Sequence, residues 1–321
     1  MRTITFLNPF KRSLWTGGIK TTLYHAELLH QNGFPVRIFQ PDGIPDAAPD
    51  STKPLFISEL NIPNNDITIF PECLNDFLRD WIEMPEIQNK YIFCQNQYYF
   101  YAYNISTRDL ERFGVKGLLC PSEFSKKSLV NVLGINPDFI HVVPCVVDRE
   151  MFKSHMIKRN QIVTASRKWR GMEGIPSYSF LLRSMLHLKY PELSDIPWIM
   201  LEHQPQQLVA EAMNASTVFL SLSRLESLGL TPLEAMSARC LVVGYHGAGG
   251  LEYATPQNGF WFSPEQQEEV VDALALALNG LPAQNPVLTK MLDAGEYTAS
   301  QFNVQAATTA LIETYRAFCH H

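Results

Sequence analysis

Residues 218–250, VFLSLSRLESLGLTPLEAMSARCLVVGYHGAGG, decide how the chain is read. An apolar strand passes through a polar turn into a helix, and the helix leads to a second apolar strand, LVVGY (241–245). Two strands joined through a helix form the unit of a parallel sheet. Within the turn and helix, seven residues separate Glu226 from Glu234, among them Gly229 and Pro232. Thr231-Pro232-Leu233-Glu234 predicts a helix start, with Thr231 as N-cap, Pro232 at the first position and Glu234 closing a capping box. On that reading Glu234 is structural and Glu226 is a solvated loop acid. The same geometry supports a second reading. A helix N-terminus behind a glycine-containing turn offers free N–H groups and a positive dipole end to a phosphate. Carboxylates beside it accept hydrogen bonds from sugar hydroxyls, Glu234 from a ribose and Glu226 from a second sugar. Together these jobs describe a site for a nucleotide-sugar.

The alternation extends outward in both directions. TITFLN, PVRIFQ, DITIF (66–70), KYIFCQ (90–95), KGLLCP (116–121) and FIHVVP (139–144) read as buried strands. IKTTLYHAELLHQNG is a helix with Leu23, Ala26 and Leu29 on one stripe and Gly33 as its stop, entered by a loop ending in Gly17 and Gly18. SEFSKKSLVNVLG is a helix from N-cap Ser122 to Gly134. A polar run after Pro144 reads as a linker, and a second alternation begins at IVTAS (162–166). It continues through helices near 178–190 and 206–213, WIMLE, TVFLSLS, GFWF and EQQEEVVDALALALNG. The expected fold class is α/β, with two Rossmann-like doubly wound domains, 1–150 and 151–321, facing a central cleft. The closing helix falls in the second range, with packing back on the first domain as the alternative.

The chain has 321 residues and a net charge of −6, which argues against a dedicated nucleic-acid binder. Cys73, Cys94, Cys120, Cys145, Cys240 and Cys319 are scattered without metal spacing and read as reduced thiols. MRTITFLNPFKRSLW lacks the apolar core of a signal peptide, and no run reaches the about 18 apolar residues of a membrane span. The expectation is a soluble, cytoplasmic protein. PFKRSLW mixes basic and aromatic residues and allows at most peripheral membrane contact.

Residues 218–250 also resemble the signature of retaining GT-B glycosyltransferases, glycosyltransferase family 4. Glu226, Gly229, Leu230, Glu234, Ala235, Met236, Gly249 and Gly250 match its pattern. The Ser122-x-x-Ser125 helix, Pro144, Asp148 and Phe152 look like the family's interdomain segment. Residues 17–39 look like its first Gly-Gly loop and helix. The resemblance implies a GT-B architecture and transfer from a nucleotide-sugar to a glycan, lipid-linked or other hydroxyl acceptor, with retention. It assigns Glu226 to the donor sugar, Glu234 to the ribose, the backbone of Gly229, Leu230 and Thr231 to donor and phosphates, and Gly17 and Gly18 to the diphosphate. Arg167, with Lys168 or Arg170, neutralises the diphosphate. No Asp-x-Asp metal motif stands out, so no metal or other cofactor is expected.

Two departures are visible. The family's lysine about five residues after the arginine is here Met172, and the place of a donor-side histidine holds Gln95. Tyr98–Tyr101 are candidates for lining the acceptor side. His246 is read as a loop residue, and Gly244–Gly250 as a weak dinucleotide fingerprint. The alternatives are a sugar-nucleotide epimerase of the same architecture and a non-catalytic nucleotide-sugar-binding protein.

Overall fold

The computed structural model describes residues 2–320 apart from 15, 47, 60–65, 75, 154–156, 166–169, 173–174 and 203. The chain forms two compact units, Met1–Cys145 with Gln305–His321 and Val146–Val304.

In the first unit, β1 (Ile4–Leu7), α1 (Gly17–Gln31), β2 (Val36–Phe39), β3 (Phe56–Ile57), β4 (Ile67–Pro71) and α2 (Asp76–Glu83) come first. They are followed by β5 (Asn89–Phe93), α3 (Gln97–Ala102), α4 (Thr107–Phe113), β6 (Val115–Cys120), α5 (Glu123–Leu133) and β7 (Ile140–Val142). The strands make one seven-stranded sheet in the order β3-β2-β1-β4-β5-β6-β7, and every pairing is parallel. The strand alternation of period two divides the core into two layers. Ile4, Phe6, Ile67, Ile69, Tyr91 and Phe93 pack on one face, and Leu7, Phe70, Ile92 and Cys94 on the other. Both faces are therefore covered, which is why these strands read as unbroken apolar runs. The order reverses between β1 and β4, so the carboxyl ends of those strands mark the crevice where doubly wound sheets hold ligands.

In the second unit, β8 (Arg159–Ala165), β9 (Arg170–Met172), β10 (Ile175–Ser177), α6 (Tyr178–Lys189), β11 (Trp198–Met200) and α7 (Gln206–Ala215) lead into β12 (Ser216–Glu226). Next come α8 (Leu230–Ser237), β13 (Leu241–Ala248), β14 (Phe260–Phe262), α9 (Gln267–Gly280) and α10 (Pro286–Ser300). Five strands form a parallel sheet in the order β11-β8-β12-β13-β14, and β9 and β10 form an antiparallel pair. Here the order reverses between β8 and β12. The last helix, α11 (Val304–His320), packs Leu311, Tyr315 and Phe318 into the core of the first unit, with Phe318 stacked on Tyr91 at 3.7 Å.

Several sequence expectations need correction. The run after Pro144 holds the boundary between the two units, at Cys145–Val146. Asp148 accepts N–H groups of Glu150 and Met151 on its carboxylate, and Phe152 is fully buried in the second unit. α10 was not anticipated, although Asn285 caps it and Pro286 opens it. α4 was also missed, despite a Ser106–Asp109 capping box and a left-handed Gly114 stop. The six cysteines are free thiols, three buried and three partly exposed. Among the described residues, no helix is long and apolar enough to cross a membrane.

Candidate active site

The glutamate-bearing turn begins where β12 loses its regular register between Ser223 and Glu226. Leu225 stands there with φ +51°, exposed, and Glu226 is the last strand residue, half-buried and paired in register with Ala248 of β13. Ala248 also has positive φ, +69°. Leu225 and Ala248, one on each strand, thus leave the extended conformation in which side chains are unstrained.

The helix start differs from expectation. Gly229, at φ +84°, is the N-cap, and no side chain caps α8. Glycine takes this left-handed conformation at little cost, so helical geometry begins at Leu230, two positions earlier than a Thr231 cap allows. Thr231 lies inside the first turn and forms no capping box with Glu234. Pro232 occupies the third helical position, where its missing N–H is one the helix leaves unused anyway. The first-turn N–H groups of Leu230 and Thr231 have no intrahelical acceptor, and both residues are partly exposed. Glu234 is 9 % exposed and sits one turn below Leu230. Helical side chains lean toward the N-terminus, so Glu234 lies on the face of α8 beneath that first turn.

Backbone contact with the glycine pair after β13 holds the turn in place. A Cβ on Gly249 would fall 2.4 Å from the Ser227 carbonyl carbon and 2.6 Å from the Glu226 oxygen. Gly247 and Gly244 similarly lie against Ser223 and Ser221. The glycines of 244–250 therefore serve strand-to-turn packing, and a 3₁₀ turn at Gly249–Glu252 follows them, not the long helix of a dinucleotide fingerprint. Tyr253, which the sequence did not single out, donates its hydroxyl to the Gly229 carbonyl at 2.6 Å. Burial, and next the Glu226 charge, push its pKa well up, so it remains a donor. His246 is a strand residue. Its Nδ1 accepts the Ala248 N–H at 3.1 Å, which leaves the proton of the neutral ring on Nε2, and burial lowers its pKa.

In the first unit, Gly17 and Gly18 do not end a loop. They are the first two residues of α1, behind the N-cap Thr16, whose Oγ1 accepts the Ile19 N–H. The N–H groups of Gly17 and Gly18 precede the first intrahelical bonds. Open space faces Gly17, whereas a Cβ on Gly18 would meet Gln95 Oε1 at 3.3 Å. Gln95 donates Nε2–H to Thr22 Oγ1 at 3.0 Å. The structure thus brings Gln95 and the Gly17–Gly18 turn together at the switch point of their sheet.

Of the basic cluster, Arg167 and Lys168 lie outside the described residues, and Arg170 is the first residue of β9. Tyr98–Tyr101 fall on α3, where Phe100 is buried, Tyr101 bonds Ser128 and Tyr99 is exposed. In the PFKRSLW loop, Arg12 is paired with Asp46.

Residues 198–286, from β11 to the start of α10, match the family model for glycosyl transferases group 1. The chain is 26% identical over 238 residues to an alpha-1,6-glucosyltransferase of Actinobacillus pleuropneumoniae serotype 7, covering 72% of this chain and 69% of that one. Among solved structures, it is similar to a sucrose-phosphate synthase from Thermosynechococcus elongatus, with TM-score 0.67, 14% identity and coverage of 99% of each chain. It is also similar to Anabaena HepE, solved with UDP and glucose, with TM-score 0.66, 14% identity and coverage of 98% of this chain and 100% of that one. The fold is the GT-B architecture of glycosyltransferases. The group 1 match and the glucosyltransferase relative support glycosyl transfer from a nucleotide-sugar as the activity.

Proposed function

We propose that the protein is a retaining, metal-independent glycosyltransferase that moves a sugar from a nucleotide-sugar to a glycan, lipid-linked or other hydroxyl acceptor. The observation that carries this reading is the uncapped N-terminus of α8, set behind Gly229 and flanked by Glu226 and Glu234. A helix end without its own side-chain cap has N–H groups and a dipole to offer a diphosphate. Leu230 and Thr231 supply those groups, Glu234 takes the ribose hydroxyls, and Glu226 takes the donor sugar. Gly17 and Gly18 offer further N–H groups to the diphosphate, and Gln95 offers a carboxamide to the sugar. Arg167, with Lys168 or Arg170, compensates the diphosphate charge.

In the reaction, the bond from the anomeric carbon to the diphosphate oxygen breaks as the acceptor oxygen forms its bond on the same face. The acceptor proton passes to the departing phosphate oxygen. Oriented N–H groups and cations lower the barrier by stabilising charge that develops on the leaving group. This route uses no dedicated base. UDP and glucose are the first donor components to test, given the glucosyltransferase relative and the UDP- and glucose-bound neighbour.

Thermal melting with UDP, dTDP, GDP, ADP and NAD tests the site. A ligand at 100 times its Kd stabilises by about 2.7 kcal/mol, which raises Tm by several degrees. A shift with one nucleoside diphosphate is expected, and no shift with any of them contradicts the assignment. Glu226→Ala is expected to abolish transfer while retaining that shift, and transfer surviving in the variant removes Glu226 from its role.

A further inference from the structure

Glu72 directly follows β4, at the point where the first sheet reverses its strand order. Glu72 is 6 % exposed, and its carboxylate accepts a backbone N–H. Asn96 N–H donates to Oε1 at 3.1 Å, and the backbone of Gln95, whose N–H bonds the Phe93 carbonyl, and of Glu72 itself also favours the ionised form. The turn held in this way has two further attachments. The Asn96 side chain accepts the Tyr98 N–H and caps α3. The Gln95 side chain bonds Thr22 and lies against Gly18, at the start of α1. We propose that Glu72 is a positioning residue for glycosyl transfer, its ionised carboxylate clamping the Gln95–Asn96 turn so that the Gln95 carboxamide is fixed beside Gly18. The proposal rests on the reading that Gln95 meets the donor sugar.

Burial sets the carboxylate against its N–H partners and brings the Glu72 pKa to about 7. The surrounding groups do not share that titration. Burial, then the Glu72 charge, push Cys73 to about 12. Cys94 just after β5 and Tyr103 after α3 are raised, first by burial. On α1, His25 stacks on Phe93 at 4.9 Å, and burial lowers it to about 3. On α2, Arg79 directs its guanidinium to the carbonyls of Leu74 and Tyr103. Among these groups Glu72 is the one that changes charge near neutrality, so the clamp tightens as pH rises.

Glu72→Gln keeps the shape and one acceptor oxygen but removes the charge. With a nucleotide-sugar that the wild type turns over, kcat is measured against pH in the full-length protein. The wild-type kcat is expected to rise through an ionisation near pH 7, and the variant to lack that limb. At pH 8 the variant should run roughly tenfold slower with KM for the donor unchanged, the gap between a charge-assisted and a neutral hydrogen bond. The amide shifts of Gln95 and Asn96 should titrate with the same midpoint in the wild type and stay flat in the variant. Stability separates this from a folding defect. The folded pKa lies above the ordinary 4.5, so the native state holds the proton more tightly and the wild type loses stability as pH rises toward about 7. The variant should therefore melt above the wild type at pH 8. A variant with the wild-type kcat and pH profile, or wild-type amides that do not titrate, overturns the proposal and leaves transfer intact. Wild-type protein that turns over no nucleotide-sugar overturns the underlying function instead, whatever the amides show.

Discussion

Two glycines with the same local sequence context make opposite demands. A Cβ on Gly249 would collide with the Ser227 carbonyl, so Gly249→Ala must move the Glu226–Gly229 turn. A cost of about 1–3 kcal/mol is expected, with loss of the nucleotide-induced Tm shift. Gly17 faces open space at a helix start, and Gly17→Ala should leave stability unchanged or raise it by about 0.5–1 kcal/mol. Melting curves of the two variants check the pair. The sequence displayed the Glu226–Glu234 spacing but not what secures it. Tyr253 carries no local signal, because its hydroxyl acts on a carbonyl that is distant in sequence. Glu72 is equally silent, since a lone acid after a strand reads as solvated until its burial is known. The helix start misled for a definite reason. Thr231, Pro232 and Glu234 each favour a cap at Thr231, yet one positive φ at Gly229 moves the boundary.

Two lysines, Lys90 buried and Lys158 half-buried, act on whole elements by closing helix ends. Lys90 donates to the Ile82 and Phe113 carbonyls, at the ends of α2 and α4. Lys158 donates to the carbonyls of Met213, Ser216 and Ala238, at the ends of α7 and α8. Each ammonium satisfies last-turn carbonyls and faces the negative dipole ends of two helices. Burial lowers both pKa values, so the contacts hold while the amines remain protonated. Lys158→Met strips α8 of its C-terminal anchor and is expected to cost about 2–3 kcal/mol, visible as a lower urea midpoint at unchanged slope. Most elements were legible, because buried parallel strands leave long apolar runs and glycines stop the helices. α10 escaped because its buried stripe is Leu288, Met291, Gly295 and Ala299. The spacing is helical, but half the stripe is too small to stand out as apolar.

Across the whole molecule, the two sheets have separate cores, and α11 completes the core of the first unit with Leu311, Tyr315 and Phe318. Ending the chain at Val304 should therefore unfold the first unit and spare the second, with one calorimetric transition lost and the other kept near its original temperature. The alternation of strands and helices made the doubly wound class readable. It did not say which sheet α11 would join, because an amphipathic helix fits any apolar surface. That membership has a consequence during synthesis. Domains generally fold as units while the chain emerges at about 5–20 residues per second, the earlier one first. Here residues 305–318 leave the ribosome after all of Val146–Val304. The unit translated first thus waits with an open apolar seam, and the unit translated second can close before it. The nascent first unit presents its β1–β5 face to chaperones throughout that interval.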